Sequence, residues 1–137
     1  MSIKCILVDD HTLFRDGLRR LLESEPDFEV VGEASDAIEA LDKVRELQPD
    51  VVLMDLRMPV VDGVEAIRAI TAEFPAARIL ALSTYEGDAD IRRALDAGAR
   101  GYVVKSDAAR DLLAAVEAVS QHRVFTALHG RTVPELT

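Results

Sequence analysis

The chain has 137 residues, 49% hydrophobic and 30% charged, the balance of one folded domain rather than a disordered segment. Its longest unbroken apolar run is Leu112–Val116, far short of the ~20 residues that span a bilayer. Sixteen basic residues against 25 acidic ones give a net charge of −9, which argues against a surface built to clamp nucleic-acid phosphates.

Taken in chain order, short apolar runs alternate with helical periodicity. Ile3–Val8 reads as a strand stopped by Asp9-Asp10. Phe14, Leu18, Leu21 and Leu22 then lie on one helix face, and that helix ends by Pro26. Phe28–Ala34 is a second strand whose polar interruptions, Glu29 and Glu33, suit a sheet edge. Asp36 and Glu39 form a capping box for a helix with the stripe Ile38, Leu41, Val44 and Leu47. Val51–Met54 is a third, wholly apolar strand followed at once by Asp55. After the turn Met58-Pro59, Asp62 and Glu65 cap a helix that turns Ile67, Ile70 and Phe74 inward.

Ile79–Leu82 is the fourth strand, closed by Ser83-Thr84, and Asp88 to Ala97 is a weakly amphipathic helix stopped by Gly98. Tyr102–Val104 is the fifth strand, ended by Lys105. Ser106 or Asp107 caps a last helix carrying Leu112, Leu113, Val116 and Val119. Five strands alternating with five helices predict an α/β parallel sheet with right-handed crossovers, its apolar first, third and fourth strands central. From His122 the periodicity lapses, so residues 1–121 are expected to be the domain and 122–137 a C-terminal linker or tail. Cys5 is the only cysteine. It reads as a buried strand residue in a chain suited to a reducing cytoplasm, with no secretory signal and no membrane association expected.

Ligands of open α/β sheets bind beyond the carboxyl ends of the strands. Four strands here end in Asp9-Asp10, Asp55, Ser83 and Lys105. Singly, each reads as a cap or turn residue. Together they form a chemical set. Two carboxylates ~4 Å apart repel by about 4 kcal/mol at an effective dielectric of ~20, so their pKa values rise or a cation sits between them. Mg²⁺, which takes one or two carboxylates plus phosphate oxygens, suits such a site. Lys105 can neutralise a phosphate oxygen and Ser83 can donate to another, while a carboxylate can attack phosphorus to give an aspartyl-phosphate. His11, beside the acids, reads as a loop residue at the pocket rim rather than a metal ligand.

These residues resemble the response-regulator receiver domain of two-component signalling from Ile3 to about Gln121. The resemblance is carried by Ile6-Leu7-Val8-Asp9-Asp10, by Leu53-Met54-Asp55-Leu56-Arg57-Met58-Pro59 with Asp62-Gly63, by the hydroxyl at Ser83, and by Gly98-Ala99-Arg100-Gly101-Tyr102-Val103-Val104-Lys105. It implies a flavodoxin-like, doubly wound, five-stranded parallel sheet in the order 2-1-3-4-5, an order for which a receiver protein is itself a standard example. It implies Asp55 as phosphoacceptor, and Asp10, Asp55 and the Arg57 backbone carbonyl as Mg²⁺ ligands with Asp9 assisting through water. Lys105 would pair with the phosphoryl group, and Ser83 and Tyr102 would be the switch pair.

Three departures from the commonest receiver pattern stand out, the last covering two positions. Ser83 stands where threonine is commoner. Ser106 replaces a frequent proline, so a cis peptide after Lys105 is not implied. Arg57 and Tyr85 occupy variable positions that tune the lifetime of the phosphate. The wording Gly101-Tyr102-Val103-Val104-Lys105-Ser106 is similar to receivers that precede a LuxR-type helix-turn-helix. The ending Glu135-Leu136-Thr137 matches the approach to that domain, so the tail is expected to lead to a DNA-binding domain outside this segment. Implied partners are a sensor histidine kinase, a second copy on phosphorylation, and DNA only through that further domain.

Two other classes compete. A phosphatase of the haloacid-dehalogenase type also uses an aspartyl nucleophile, but within Asp-x-Asp on its leading strand, whereas here the acid pair comes first and Asp55 is followed by Leu-Arg. An interaction module that ignores the pocket has no need of mutually repelling acids.

Overall fold

Alternation along each strand decides the architecture. In the computed structural model, which describes residues 2–58, 61–84, 88–123, 125–128 and 131–132, the strands are β1 (Ile3–Val8), β2 (Phe28–Ala34), β3 (Val51–Asp55), β4 (Ile79–Ser83) and β5 (Gly101–Val104). They alternate with α1 (Thr12–Glu23), α2 (Ala37–Leu47), α3 (Gly63–Glu73), α4 (Asp88–Ala97) and α5 (Ala108–Ser120). Ile6, Val8, Val52, Met54, Ile79, Ala81, Tyr102 and Val104 face one core, with Val44 of α2, Ile67 and Ile70 of α3 and Ile91 of α4. Cys5, Leu7, Val51, Leu53, Leu80, Leu82 and Val103 face the other, with Leu18 and Leu22 of α1 and Leu112 and Val116 of α5. Strands apolar at every position are therefore covered on both faces, as parallel sheets require.

All neighbours from β2 to β5 pair in parallel, in the spatial order β2-β1-β3-β4-β5. The polar second strand is the edge, as its sequence predicts. Parallel pairing brings the carboxyl ends of β1, β3, β4 and β5 to one side of the sheet, and that positions the site. Beyond His122 the sheet continues where the periodicity gave no signal. β6 (Phe125–Leu128) pairs in parallel with β5, and β7 (Arg131–Thr132) pairs antiparallel with β6. Four and two residues are too short to establish a period.

The caps follow the sequence closely. Asp36 accepts a bond from the Glu39 amide at 2.8 Å, and Asp62 accepts one from the Glu65 amide at 3.0 Å. Glu39 reaches back to the amide of Ser35 rather than of Asp36. At the end of α4, Gly98 adopts φ +123°, and the amides of Gly98 and Ala99 close onto Leu95 and Ala94. Three details differ from expectation. Ile38 lies 73% exposed, because the inward face of α2 runs through Ala40 and Val44. A 3₁₀ turn, Lys105–Asp107, precedes α5, whose N-cap residue Asp107 makes no capping bond. Pro59, Tyr85 and Glu135-Leu136-Thr137 lie outside the described residues. No peptide bond is cis among the described residues, and no helix among them is long and apolar enough to cross a membrane.

Cys5 is wholly buried, and burial with Asp50 nearby pushes its thiol up to about 12. Thiolate is the reactive form. Native protein at pH 8 is therefore expected to leave Cys5 unmodified by a thiol-specific reagent over hours, with one thiol titrating on denaturation. Modification at equal rates in both states would contradict this burial.

Candidate functional site

Asp9 follows the last residue of β1 and is fully buried. One oxygen accepts the His11 amide at 2.8 Å, the other accepts Lys105 Nζ at 3.0 Å, and its main-chain carbonyl accepts a bond from Arg15 of α1. Asp10, next along the chain, keeps its side chain 28% exposed. Asp55 ends β3 with no exposed surface. Its Oδ1 accepts the Arg57 amide at 3.0 Å, and its Oδ2 lies 3.3 Å from Lys105 Nζ. Burial raises the Asp55 carboxyl above the ordinary aspartate range. The Asp9 charge adds to this, while the Arg57 amide and Lys105 pull it back.

Lys105 arrives from the end of β5, its side chain only 11% exposed, with the ammonium 4.6 Å from the centre of the Phe14 ring. The aromatic face and the two carboxylates hold the cation at the pocket. Ser83 ends β4, is buried, and borders a small cavity of about 20 Å³ shared with Leu56, Arg57, Asp62, Val64 and Arg93. Tyr102 is fully buried in the core that faces α2, α3 and α4. Three strand ends thus bring Asp9, Asp10, Asp55 and Lys105 together, with Ser83 at the end of a fourth, β4.

The fit to a divalent cation rests on two orphaned atoms. Asp10 Oδ1 and Asp55 Oδ2 are buried and have no hydrogen-bond partner, and the one ammonium at the pocket, Lys105, 3.3 Å from Asp55 Oδ2 and 3.0 Å from Asp9 Oδ2, leaves three carboxylates with more negative charge than it offsets. Oxygen donors suit a hard ion such as Mg²⁺.

Two features of the pocket go beyond the sequence expectation. His11, expected at the pocket rim, keeps its side chain 64% exposed there, and its Nδ1 hydrogen-bonds Asp9 Oδ1 at 3.1 Å and lies 3.4 Å from Asp10 Oδ1 and 3.9 Å from Asp55 Oδ2. Asp9, Asp10, His11 and Asp55 each offer one ligand atom, and these atoms all lie within 4.8 Å of one another. Helical spacing of Arg15 and Arg19 would have pointed to the second feature. Both arginines bond Glu33 of β2, and Arg15 also holds the Asp9 carbonyl. The polar interruption read as an edge-strand mark is the anchor of a brace beneath the acid pair.

Comparison with known proteins follows the same lines. Residues 5–117 match the response regulator receiver domain family. The transcriptional regulatory protein DegU of Brevibacillus brevis is 41% identical over 120 residues, 88% of this chain and 51% of that protein. The response regulator protein VraR of Staphylococcus aureus is 42% identical over 121 residues, 88% of this chain and 58% of its own length. The chain therefore spans little more than half the length of the curated relatives it matches. Among solved structures, a LuxR-family two-component response regulator from Aurantimonas sp. SI85-9A1 superposes with a TM-score of 0.88 at 43% identity, covering 93% of this chain and 90% of that one. The signal receiver domain of NarL from Mycobacterium tuberculosis gives 0.84 at 34% identity, covering 89% and 98%. The chain belongs to the response regulator receiver domain family, a signalling switch of two-component systems, and within it to the receivers of the LuxR-type subfamily.

Proposed function

We propose that this receiver takes a phosphoryl group from the phosphohistidine of a sensor kinase onto Asp55. The observation that carries the reading is the buried Asp55 Oδ2, which has no hydrogen-bond partner and lies 3.3 Å from Lys105 Nζ. Asp55 Oδ2 attacks phosphorus, the phosphorus–nitrogen bond of the donor breaks, and its electron pair leaves with the imidazole. Lys105 neutralises charge on the transferred group, and the Ser83 hydroxyl donates to a phosphoryl oxygen. The Arg57 amide fixes Asp55 Oδ1 so that Oδ2 is the nucleophile.

Asp10, Asp55 and the Arg57 carbonyl would hold Mg²⁺, with Asp9 assisting through water. Mg²⁺ when bound supplies charge neutralisation at the phosphoryl oxygens. Asp9 also holds Lys105 at 3.0 Å, so one carboxylate positions the cation that the product needs. Once Asp55 is phosphorylated, Ser83 and Lys105 gain an anionic partner, and the state in which Tyr102 lies inward is favoured. The readout is a shift in population; the domain turns over no external substrate.

The relatives support a reading of the output. DegU is a transcriptional regulatory protein and VraR a response regulator. We assign the same arrangement here: residues 1–121 as the receiver, 122–137 as the segment that leads to a DNA-binding domain, a homodimer formed on phosphorylation, and a cytoplasmic setting.

The test is phosphoryl uptake from acetyl phosphate, followed by intact mass. Mg²⁺ is expected to give a gain of one phosphoryl group, and excess chelator to abolish it. No uptake with Mg²⁺, or equal uptake without it, would overturn the reading.

A further inference from the structure

We infer that His11 is a ligand of the acid pocket and sets which divalent cations it prefers, adding a nitrogen donor that favours borderline metals such as Ni²⁺, Zn²⁺ and Co²⁺ over Mg²⁺. The inference rests on the pocket being a cation site, as proposed above. Donors about 2.1 Å from a shared ion sit roughly 3–4 Å from one another. The separations of His11 Nδ1 from Asp10 Oδ1 and Asp55 Oδ2, at 3.4 and 3.9 Å, fall in that range, while its 3.1 Å contact to Asp9 Oδ1 is a hydrogen bond that a cation at Nδ1 would replace. Both oxygens in that range, on Asp10 and Asp55, are the buried atoms with no hydrogen-bond partner.

The backbone makes this position systematic rather than accidental. The His11 amide bonds Asp9 Oδ1, so the turn between β1 and α1 is closed by the acid itself, and the ring folds back over the carboxylates. The His11 side chain stays 64% exposed, which leaves it free to adjust its ring as a cation enters. Bound through Nδ1, the neutral imidazole carries its proton on Nε2.

Oxygen donors alone make a site of the kind that suits Mg²⁺ and Mn²⁺, whereas imidazole suits Ni²⁺ and Zn²⁺, and intrinsic affinity rises from Mn²⁺ through Co²⁺ to Ni²⁺. A nitrogen donor therefore widens the gap between the two classes. The cation that governs phosphorylation is then chosen partly by a residue outside the strand ends.

Calorimetric titration of the full chain with Mg²⁺ and with Ni²⁺ tests this, comparing wild type, His11→Ala, His11→Gln and Asp10→Asn. Glutamine keeps a polar side chain at the turn but has no imidazole, which separates ligation from loop structure. The expected result is that both His11 variants lose Ni²⁺ affinity by roughly tenfold more than they lose Mg²⁺ affinity, and that Asp10→Asn weakens both ions. With Co²⁺, the proton spectrum of wild type should show one strongly shifted, exchangeable imidazole N–H resonance that is missing in His11→Gln.

Equal losses for both ions, Ni²⁺ affinity retained in the His11 variants or in Asp10→Asn, or no shifted resonance in wild type would overturn the assignment of His11. Absence of Mg²⁺ binding with Ni²⁺ binding intact and dependent on His11 would instead overturn the Mg²⁺ reading and leave the His11 ligand standing.

Discussion

Asp55→Asn is expected to abolish phosphoryl uptake completely while making the metal-free protein more stable. The first effect follows from the loss of the nucleophilic oxygen, since an amide cannot form the acylphosphate. The second follows from burial. Asp55 has no exposed surface, and desolvation together with Asp9 outweighs the help from Lys105 and the Arg57 amide, so its native carboxyl titrates above the ordinary range. A carboxyl whose native pKa is raised opposes folding at pH values above that pKa. The penalty is relieved as the pH falls through the native value and is gone below the unfolded one. The isosteric amide carries no such penalty. In chelator at neutral pH the variant should melt above wild type, and the two melting temperatures should converge as the pH is lowered. Uptake by the variant, or a melting temperature below wild type at neutral pH, would refute the corresponding half of the prediction.

Gly63→Ala is expected to lower stability by about 3 kcal/mol or more and to slow phosphorylation sharply, although residue 63 bears no functional group. A Cβ built on Gly63 would lie 2.2 Å from the Asp55 carbonyl oxygen and 2.5 Å from Leu56 Cα. Those are backbone atoms at the end of β3, so no rotamer change relieves the clash. Overpacking at a site that cannot yield costs at the upper end of the usual range. The first turn of α3 also donates back to the residue that follows β3, through the Gly63 amide to the Leu56 carbonyl at 3.0 Å. Any retreat of α3 drags the loop that orients Asp55. Urea unfolding and the rate of uptake from acetyl phosphate should therefore worsen together, whereas an alanine variant that matches wild type in both would show that the loop tolerates the methyl group.

Much of this was legible in the sequence, for identifiable reasons. Strands β1, β3 and β4 declare themselves because both faces are buried, and β2 because Glu29 and Glu33 interrupt it. Asp36, Asp62 and Gly98 mark helix ends through chemistry local to a few residues. Asp9, Asp10, Asp55, Ser83 and Lys105 could be grouped because a parallel sheet puts all of its carboxyl ends on one side. Contacts set only by three-dimensional packing were not legible. The return of the His11 ring over the acids depends on a turn closed by Asp9. Glu33 looked like a solvent-facing edge residue until α1 brought Arg15 and Arg19 against it. Ile38 fell on the predicted stripe, yet α2 is rotated so that Ala40 and Val44 point inward. Strands β6 and β7 are too short to stand out from a tail.

The central claim concerns which carboxylate is phosphorylated, and borohydride reduction tests it directly, because it converts a phosphorylated aspartate to homoserine that peptide mass spectrometry can locate. After phosphorylation with Mg²⁺, the account predicts homoserine at position 55 and nowhere else. Homoserine at position 9 or 10, or none at all in protein that has gained a phosphoryl group, would contradict it.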